Sequence, residues 1–502
     1  MNTRSGASRG ANAGSKQQLI LLAVIVTTFV VMQLINFGVR WVDDESWYLM
    51  PLPSIHQAGE FRIPSIPGQD VFWAQTPLLT YLEFILDYLS PLTAKSARAI
   101  PLAFGIGLIF GAYLLGSSLF NPRVGVLAAA FTAADNLIFL ASRTVRPEIL
   151  VTAFSVFALW AAVKALGSAK RTLWLFASAV FCGLAAASHP NGLMVAPIVG
   201  ILILIVGENS LKTWRTVTVF GVIAAVAIAP VFIWLIAFDW SNDMINFKTA
   251  WLGRYGRNGE EGVRQSFTAW SLIKAEINGR YFDFLQLPYR LHIGISVVLT
   301  FLLMVFSRSR KMLALSAIFL FELAFFIFVN NSNPSVRYLT IPMPIIALGL
   351  SALLIAWYDE GIQRNLTKQV VAAMLVLSLG LSSLAGNAIL LWKFRDADYQ
   401  TLTEELRAVL PKDASVYGGL FLWLALRDTK FTPYIRTPWK KALATVQPNV
   451  VILDDWVMKG GGDNGTWTAL TKEIDEYVAV HGTLVKTIDA GFYGKLRVFH
   501  LK

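Results

Sequence analysis

The sequence predicts a polytopic α-helical membrane protein with about eleven transmembrane helices, interfacial helices in the first outer loop and a small C-terminal α/β periplasmic domain. Three observations carry this prediction. Of 502 residues, 55% are hydrophobic and only 15% charged, whereas a water-soluble domain has about a quarter of its residues charged. The apolar residues gather in runs of about 17 to 25, the length that crosses a hydrocarbon core as a helix. The basic residues between these runs fall mainly in alternate connections, as the positive-inside rule requires.

Residues 1–18 form a polar tail with Arg4, Arg9 and Lys16. The apolar run 19–37 has no small-residue cleavage site and reads as a retained first span. Further spans are predicted at 99–120, 124–141, 148–166, 172–188, 191–207, 216–238, 291–306, 312–330, 339–357 and 369–392. The stretch 77–89 is short and interrupted by Glu83 and Asp87, which fits a helix lying at the membrane interface. With the N-terminus in the cytoplasm, the inner loops carry Arg123, Lys170, Arg171, Lys212, Arg215, Arg310, Lys311 and Lys368. The chain thus divides into a cytoplasmic tail 1–18, a transmembrane domain 19–392 with long outer loops 38–98 and 239–290, and a soluble domain 393–502 outside the cytoplasm.

In the soluble domain an amphipathic helix over 399–409 ends at Pro411. Apolar β-rich runs at 414–417, 450–453, 483–488 and 496–501 alternate with a helical stretch over 467–480, the pattern of a small α/β unit. Gly460-Gly461-Gly462 reads as a turn, because no strand and helix flank it as a phosphate loop needs.

The formal net charge of +11 sits in short clusters between apolar runs, which implies membrane-lipid partners and no nucleic acid. The one cysteine, Cys182, lies inside an apolar run, so intramolecular disulfide and cysteine-cluster chemistry are excluded.

The clustered polar residues all fall on the outer side. Asp43-Asp44-Glu45 follows the first span, between Trp41 and the pair Trp47-Tyr48. It reads either as a solvated helix end with interfacial aromatic anchors, or as a general base beside the aromatic walls of a sugar site. In Ser142-Arg143-Thr144-Val145-Arg146-Pro147-Glu148, the acid can complement a helix dipole, or Arg143 and Arg146 can offer forked donors to a phosphate with Glu148 as a second carboxylate. His189, before Pro190 and Asn191, is either a helix-end residue or a contact for acceptor or phosphate. Arg337 lies between a polar segment and a span, where a guanidinium can meet phosphate while its stem stays in apolar surroundings. Arg254 and Arg257 in the second outer loop join Arg264, Arg280 and Arg290 as cations for a phosphate or for lipid headgroups. Asp135 and Glu322 are ionisable residues inside predicted spans.

Several motifs recur in order on this one side: Asp44-Glu45, Gly59-Glu60-Phe61, Gln75-Thr76-Pro77-Leu78, Arg146-Pro147-Glu148, His189-Pro190-Asn191-Gly192 and Arg337-Tyr338-Leu339. Over about the first 360 residues the sequence resembles the superfamily C integral-membrane glycosyltransferases of the protein-O-mannosyltransferase and aminoarabinose-transferase type. The resemblance implies an enzyme of the bacterial inner membrane that moves a sugar from a polyprenyl-phosphate carrier to a hydroxyl of an envelope glycolipid, glycan or protein, with inversion. It makes Asp44 the catalytic aspartate, Glu148 the second acid and Arg337, with Tyr338 beside it, a ligand of the lipid phosphate. Glu45, His189, Asn191, Trp47 and Tyr48 become acceptor or secondary contacts. Two departures stand out. Gln75-Thr76-Pro77 replaces a basic residue found in many relatives, and the extra Asp43 leaves open which aspartate is the base. Mg or Mn between Asp44 and Glu148 would suit their hard oxygens, but two acids do not require it.

Two other classes compete. A flippase or transporter of a lipid-linked sugar should show repeated halves and broken spans near the midplane, whereas the sequence has no internal repeat and its polar residues gather at one face. A glycan polymerase or ligase using a lipid-diphosphate donor would share the outward arginines, but typically lacks an acidic pair after the first and third spans. The topology has a direct test. A reporter active only in the periplasm, fused after Lys502, should give signal. A silent periplasmic fusion beside an active cytoplasmic one would contradict the span count.

Overall fold

The computed structural model describes residues 6–38, 41, 43–61, 63, 76–207, 210–247, 269–277, 290–307, 309–328, 336–364, 366–434, 437, 439–455 and 466–502. The chain is a multi-pass membrane protein. Among the described residues eight helices are long and apolar enough to cross a bilayer: Lys16–Leu34, Ala94–Leu119, Glu148–Gly167, Arg171–Ser188, Leu211–Trp234, Arg310–Phe328, Val336–Ile362 and Leu366–Lys393. The remaining three predicted spans are shorter apolar helices, Pro122–Ala134, Pro190–Val206 and Ser296–Phe306.

In chain order the first helices are α1 (Gly6–Leu34), α2 (Asp43–Leu49), α3 (Leu52–Ala58), α4 (Pro77–Leu89), α5 (Ala94–Ala97), α6 (Ala99–Leu119), α7 (Pro122–Ala134) and α8 (Asn136–Ala141). Next come α9 (Glu148–Gly167), α10 (Arg171–Ser188), α11 (Val195–Val206), α12 (Leu211–Phe247), α13 (Ala269–Glu276), α14 (Arg290–Phe306), α15 (Arg310–Phe328), α16 (Met343–Arg364) and α17 (Leu366–Lys393). The soluble domain adds α18 (Tyr399–Val409), α19 (Trp423–Leu426), α20 (Trp439–Thr445) and α21 (Thr466–His481).

The apolar run 124–141 is broken because Asp135 leaves the helix. Its backbone is extended, and its carboxylate accepts from the amides of Leu137 and Ile138, capping α8. The neighbouring amide then ties two helices: Asn136 donates to Asn387 Oδ1 (2.6 Å) and Asn387 donates to Ala134 O (3.0 Å). Helices α6 and α7 approach closely, since a Cβ on Gly116 would lie 2.8 Å from the Cα of Gly125. Glu322 is fully buried on α15, with no hydrogen-bond partner for either oxygen among the described residues.

One end of the bundle gathers the connections that follow α1, α8 and α10 and precede α16. Arg98 donates to Phe37 O at 2.8 Å, Arg143 to Asn36 O at 2.7 Å, and the ring of His189 meets that of Tyr338 at 5.7 Å. The opposite end is marked by a two-bond pair from Arg123 to Asp359 (2.8 and 3.1 Å).

The soluble domain is a five-stranded mixed sheet of β1 (Ser415–Gly418), β2 (Lys430–Pro433), β3 (Val450–Asp454), β4 (Gly482–Asp489) and β5 (Lys495–Leu501), in the order β2-β1-β3-β5-β4. Strands β2, β1 and β3 run parallel; β5 is antiparallel to β3 and β4. The edge strand β2 has no counterpart in the sequence reading, because four residues ending in proline carry no alternation. The glycines at 460–462 lie outside the described residues.

This domain docks on the end of the bundle just described. Tyr493 donates to Trp41 O (2.8 Å), Tyr399 packs its ring 5.8 Å from that of Trp41, and Arg427 pairs with Asp87 of α4 at 2.8 Å. Asp87 also meets His56 (2.9 Å) and accepts from Leu92 N. Burial raises the Asp87 pKa, but the Arg427 bond, the Leu92 amide, the Arg427 charge and the His56 bond outweigh it and hold the carboxyl below its ordinary value. A depressed folded pKa stabilises the docked form above the ordinary carboxylate pKa of about 3.9, and that contribution is lost as pH falls through the folded pKa. Unfolding followed from neutral to acid pH should therefore show an acid loss of stability that Asp87→Asn flattens. An unchanged acid limb in the variant would contradict the assignment.

Candidate functional site

The site is built on α2, which begins two residues after Trp41. Asp43 and Asp44 are the first two residues of this helix, and their side chains lie outside the described residues. Glu45, the third, points inward and is fully buried. Arg98, 1% exposed, grips it with two bonds, Nε to Oε1 at 2.9 Å and a terminal nitrogen to Oε2 at 2.8 Å. Val145 N donates to Glu45 Oε1 (3.0 Å), and the Arg98 guanidinium lies 5.5 Å from the Trp41 ring. Glu45 therefore fastens the start of α2 to α6 and to the turn before α9. The sequence reading gave it an acceptor role and overlooked Arg98.

Trp47 and Tyr48, read as walls of a sugar site, are each 8% exposed and belong to the apolar core. From Glu45 onward α2 is enclosed on every side, with Ser46, Leu49 and the following Met50 buried as well, and Thr80 of α4 donates to Tyr48 O (2.8 Å). Glu83, one turn further along α4, is buried with no hydrogen-bond partner for either oxygen among the described residues. Burial first, then the charges of Glu45 and Asp87, push its carboxyl well above the usual range.

Arg146 and Glu148 form a second buried pair across the turn that opens α9. Arg146 Nε lies 3.1 Å from both carboxylate oxygens and a terminal nitrogen 2.5 Å from Oε1. These two residues, Arg337, Thr144 and Thr340 line one cavity of about 60 Å³. Arg337 reaches it from the 3₁₀ turn Val336–Thr340, whose Tyr338 ring stacks on Phe326 at 6.2 Å and meets His189 at 5.7 Å. His189 caps the turn Pro190–Met194, its Nδ1 accepting from Asn191 N at 3.1 Å. Both His189 and Asn191 are buried behind the cavity wall.

Arg143 goes elsewhere. It donates to the carbonyls of Ile35 and Asn36 (3.0 and 2.7 Å), holding the end of α1, and lines a separate small cavity with Arg98 and Asn36. Arg254 and Arg257, with Arg264 and Arg280, lie outside the described residues, as do Gln75 and the polar segment 329–335. Among the described residues no three His, Cys, Asp or Glu side chains are placed to share a metal ion. Both oxygens of Glu148 accept from Arg146, and the side chain of Asp44, the other half of the expected cation site, lies outside the described residues.

Residues 74–234 match the family model for dolichyl-phosphate-mannose-protein mannosyltransferase. A comparison with curated proteins gave no match. Among solved structures the chain is similar to ArnT from Cupriavidus metallidurans in the apo state, at 12% identity over 97% of this chain and 98% of that one, with a TM-score of 0.63. The same protein bound to undecaprenyl phosphate aligns at 13% identity over 96% and 97%, with a TM-score of 0.62. The chain has the superfamily C glycosyltransferase fold. The archaeal oligosaccharyltransferase AglB from Archaeoglobus fulgidus, in complex with an inhibitory peptide and a dolichol-phosphate, shares it at 14% identity over 96% of this chain and 74% of that one, with a TM-score of 0.58.

Within this superfamily C fold, the Glu45–Arg98 pair decides where α2 begins. Removing one partner of such a buried pair costs about 3–5 kcal/mol, because the other charge stays behind uncompensated. Arg98→Met should lower stability in chemical unfolding by about that amount. Loss no larger than about 1 kcal/mol, the scale of an exposed pair, would contradict a structural role.

Proposed function

We propose that the protein transfers a hexosyl or pentosyl unit from a polyprenyl-phosphate carrier to a hydroxyl of an envelope glycolipid, glycan or protein. The reaction takes place at the outer face of the bacterial inner membrane, with the N-terminus cytoplasmic and the C-terminal domain periplasmic. The observation that carries this reading is the convergence of Arg146, Glu148 and Arg337 on one cavity, at the end of the bundle where α2 presents its acidic start. The structures of similar fold that hold undecaprenyl phosphate and dolichol-phosphate support a lipid monophosphate as the donor class.

In the proposed reaction, Asp44 takes the proton of the acceptor hydroxyl as its oxygen attacks the anomeric carbon. The attack comes from the face opposite the phosphate, so the bond to phosphate breaks and the configuration inverts. The polyprenyl phosphate leaves as an anion, met by the guanidinium groups of Arg337 and Arg146. Glu148 keeps Arg146 in place and moderates its charge. Mg or Mn, held between the oxygens of Asp44 and Glu148, would add further positive charge beside the departing phosphate.

A positioned base contributes about 10²–10⁴-fold to rate. Asp44→Asn should lower transfer from a synthetic polyprenyl-phosphate sugar by that range at saturating donor, while Asp43→Asn costs far less. The reverse result moves the base by one residue, and full activity in both variants removes the base from α2. Arg337→Ala should weaken donor use strongly and Arg337→Lys restore only part, because an ammonium lacks the forked geometry. Wild-type turnover in Arg337→Ala takes this residue out of the site.

A further inference from the structure

The first turn of α2, which carries Asp43 and Asp44, is the part of that helix least able to hold itself. Its leading amides have no partner within the helix, and seven residues are too few for a helix to stand alone in water. Support must come from outside. Trp41 is fully buried just ahead of the helix, and its ring nitrogen donates to Ser46 Oγ at 2.8 Å. That bond closes a clasp over the stretch that contains Asp43, Asp44 and Glu45. Arg98, which holds Glu45, lies 5.5 Å from the centre of the same indole.

The soluble domain grips this clasp through one hydroxyl. Tyr493 donates to Trp41 O at 2.8 Å and is only 5% exposed. The turn between β4 and β5 presents it. Gly491 and Gly494 take the positive φ values that the turn requires (55° and 72°), while Tyr493 N donates to Ala490 O and Ala490 N to Gly494 O. A Cβ on Gly491 would stand 2.5 Å from Asp396 O, so a side chain there would be forced against that carbonyl. The rings of Phe421 and Tyr399 lie 4.9 and 6.2 Å from that of Tyr493 and fix its direction. A buried tyrosine hydroxyl usually finds a partner nearby. This one finds it across the domain boundary, on the carbonyl that leads into α2.

From this geometry we infer that Tyr493 is a positioning residue for the general base, holding the first turn of α2 through the Trp41–Ser46 clasp. The inference rests on the transferase reading above. A displacement of a reacting group by about 1 Å can lower a rate on the order of 100-fold. Tyr493→Phe keeps the ring and its stacking on Phe421 and removes only the bond to Trp41 O. Ser46→Ala opens the same clasp from the other side.

The test uses the full chain in inner-membrane vesicles, whose own components serve as acceptor, with synthetic undecaprenyl-phosphate hexoses and pentoses as donors. Tyr493→Phe and Ser46→Ala should each lower kcat by roughly tenfold or more, with the donor KM within about twofold of wild type. Hydrogen exchange over residues 41–49 should quicken in both variants, with the rest of the chain unchanged. Because both act on one clasp, the double variant should lose no more than the worse single one. In the Asp44→Asn background, Tyr493→Phe should lower turnover no further. Arg427→Gln breaks the domain's other tie to the bundle and should keep kcat and exchange in α2 within about twofold of wild type. If wild type transfers sugar but Tyr493→Phe keeps full kcat, or loses it equally in the Asp44→Asn background, the positioning role is overturned and the transferase reading stands. The same holds if Arg427→Gln reproduces the defect, since loosened docking then explains it. If wild type transfers from none of these donors, the transferase reading falls and this inference with it.

Discussion

The arrangement of this end of the molecule depends on a carboxylate and a guanidinium shut away from water together. Glu45 and Arg98 are nearly inaccessible, and between them they hold four pieces of chain: α2, α6, the end of the first span through Phe37 O, and the turn before α9 through Val145 N. A buried pair of this kind adds little net stability over an apolar replacement. What it does supply is registry. Arg98 bonds Glu45 through two nitrogens and Phe37 O through a third, which ties the first turn of α2 to the end of the first span.

The soluble domain completes the same constraint from outside. Tyr493 bonds the carbonyl of Trp41, Tyr399 lies against its ring, and Phe421 stacks on Tyr493 at 4.9 Å with the planes 4° apart. Tyr399 in turn donates to Phe421 O and accepts from Ala425 N. Trp41, two residues before α2, is thus held by Ser46 and Arg98 on one side and by the soluble domain on the other. The domain acts as part of the frame of the site, with the Asp87–Arg427 pair as a second tie at α4.

Much of the fold was legible because its signals are periodic and long. The apolar runs, the interfacial helix Pro77–Leu89 and the amphipathic helix Tyr399–Val409 appear where hydropathy places them. What escaped is what depends on distant partners. Nothing local distinguishes Arg98 from an arginine that snorkels to a headgroup; only the fold brings Glu45 to it across 53 positions. Asp135 looked like a charge inside a span, yet its short side chain caps the next helix. Trp47 and Tyr48 share the composition of a sugar wall and of a core, and the fold buries both in the apolar core. Arg143 and Arg146 look equivalent in sequence, three residues apart. The chain turn between them sends one to the carbonyls of α1 and the other to Glu148.

The central claim is that Arg146 and Arg337, brought together by the turn before α9 and the 3₁₀ turn before α16, form the seat of a lipid phosphate. A structure of the protein with undecaprenyl phosphate bound tests it most directly. The account predicts phosphate oxygens within about 3 Å of both guanidinium groups, as charge-assisted hydrogen bonds require. A phosphate seated elsewhere, with the Arg146, Glu148 and Arg337 cavity unfilled, would contradict it.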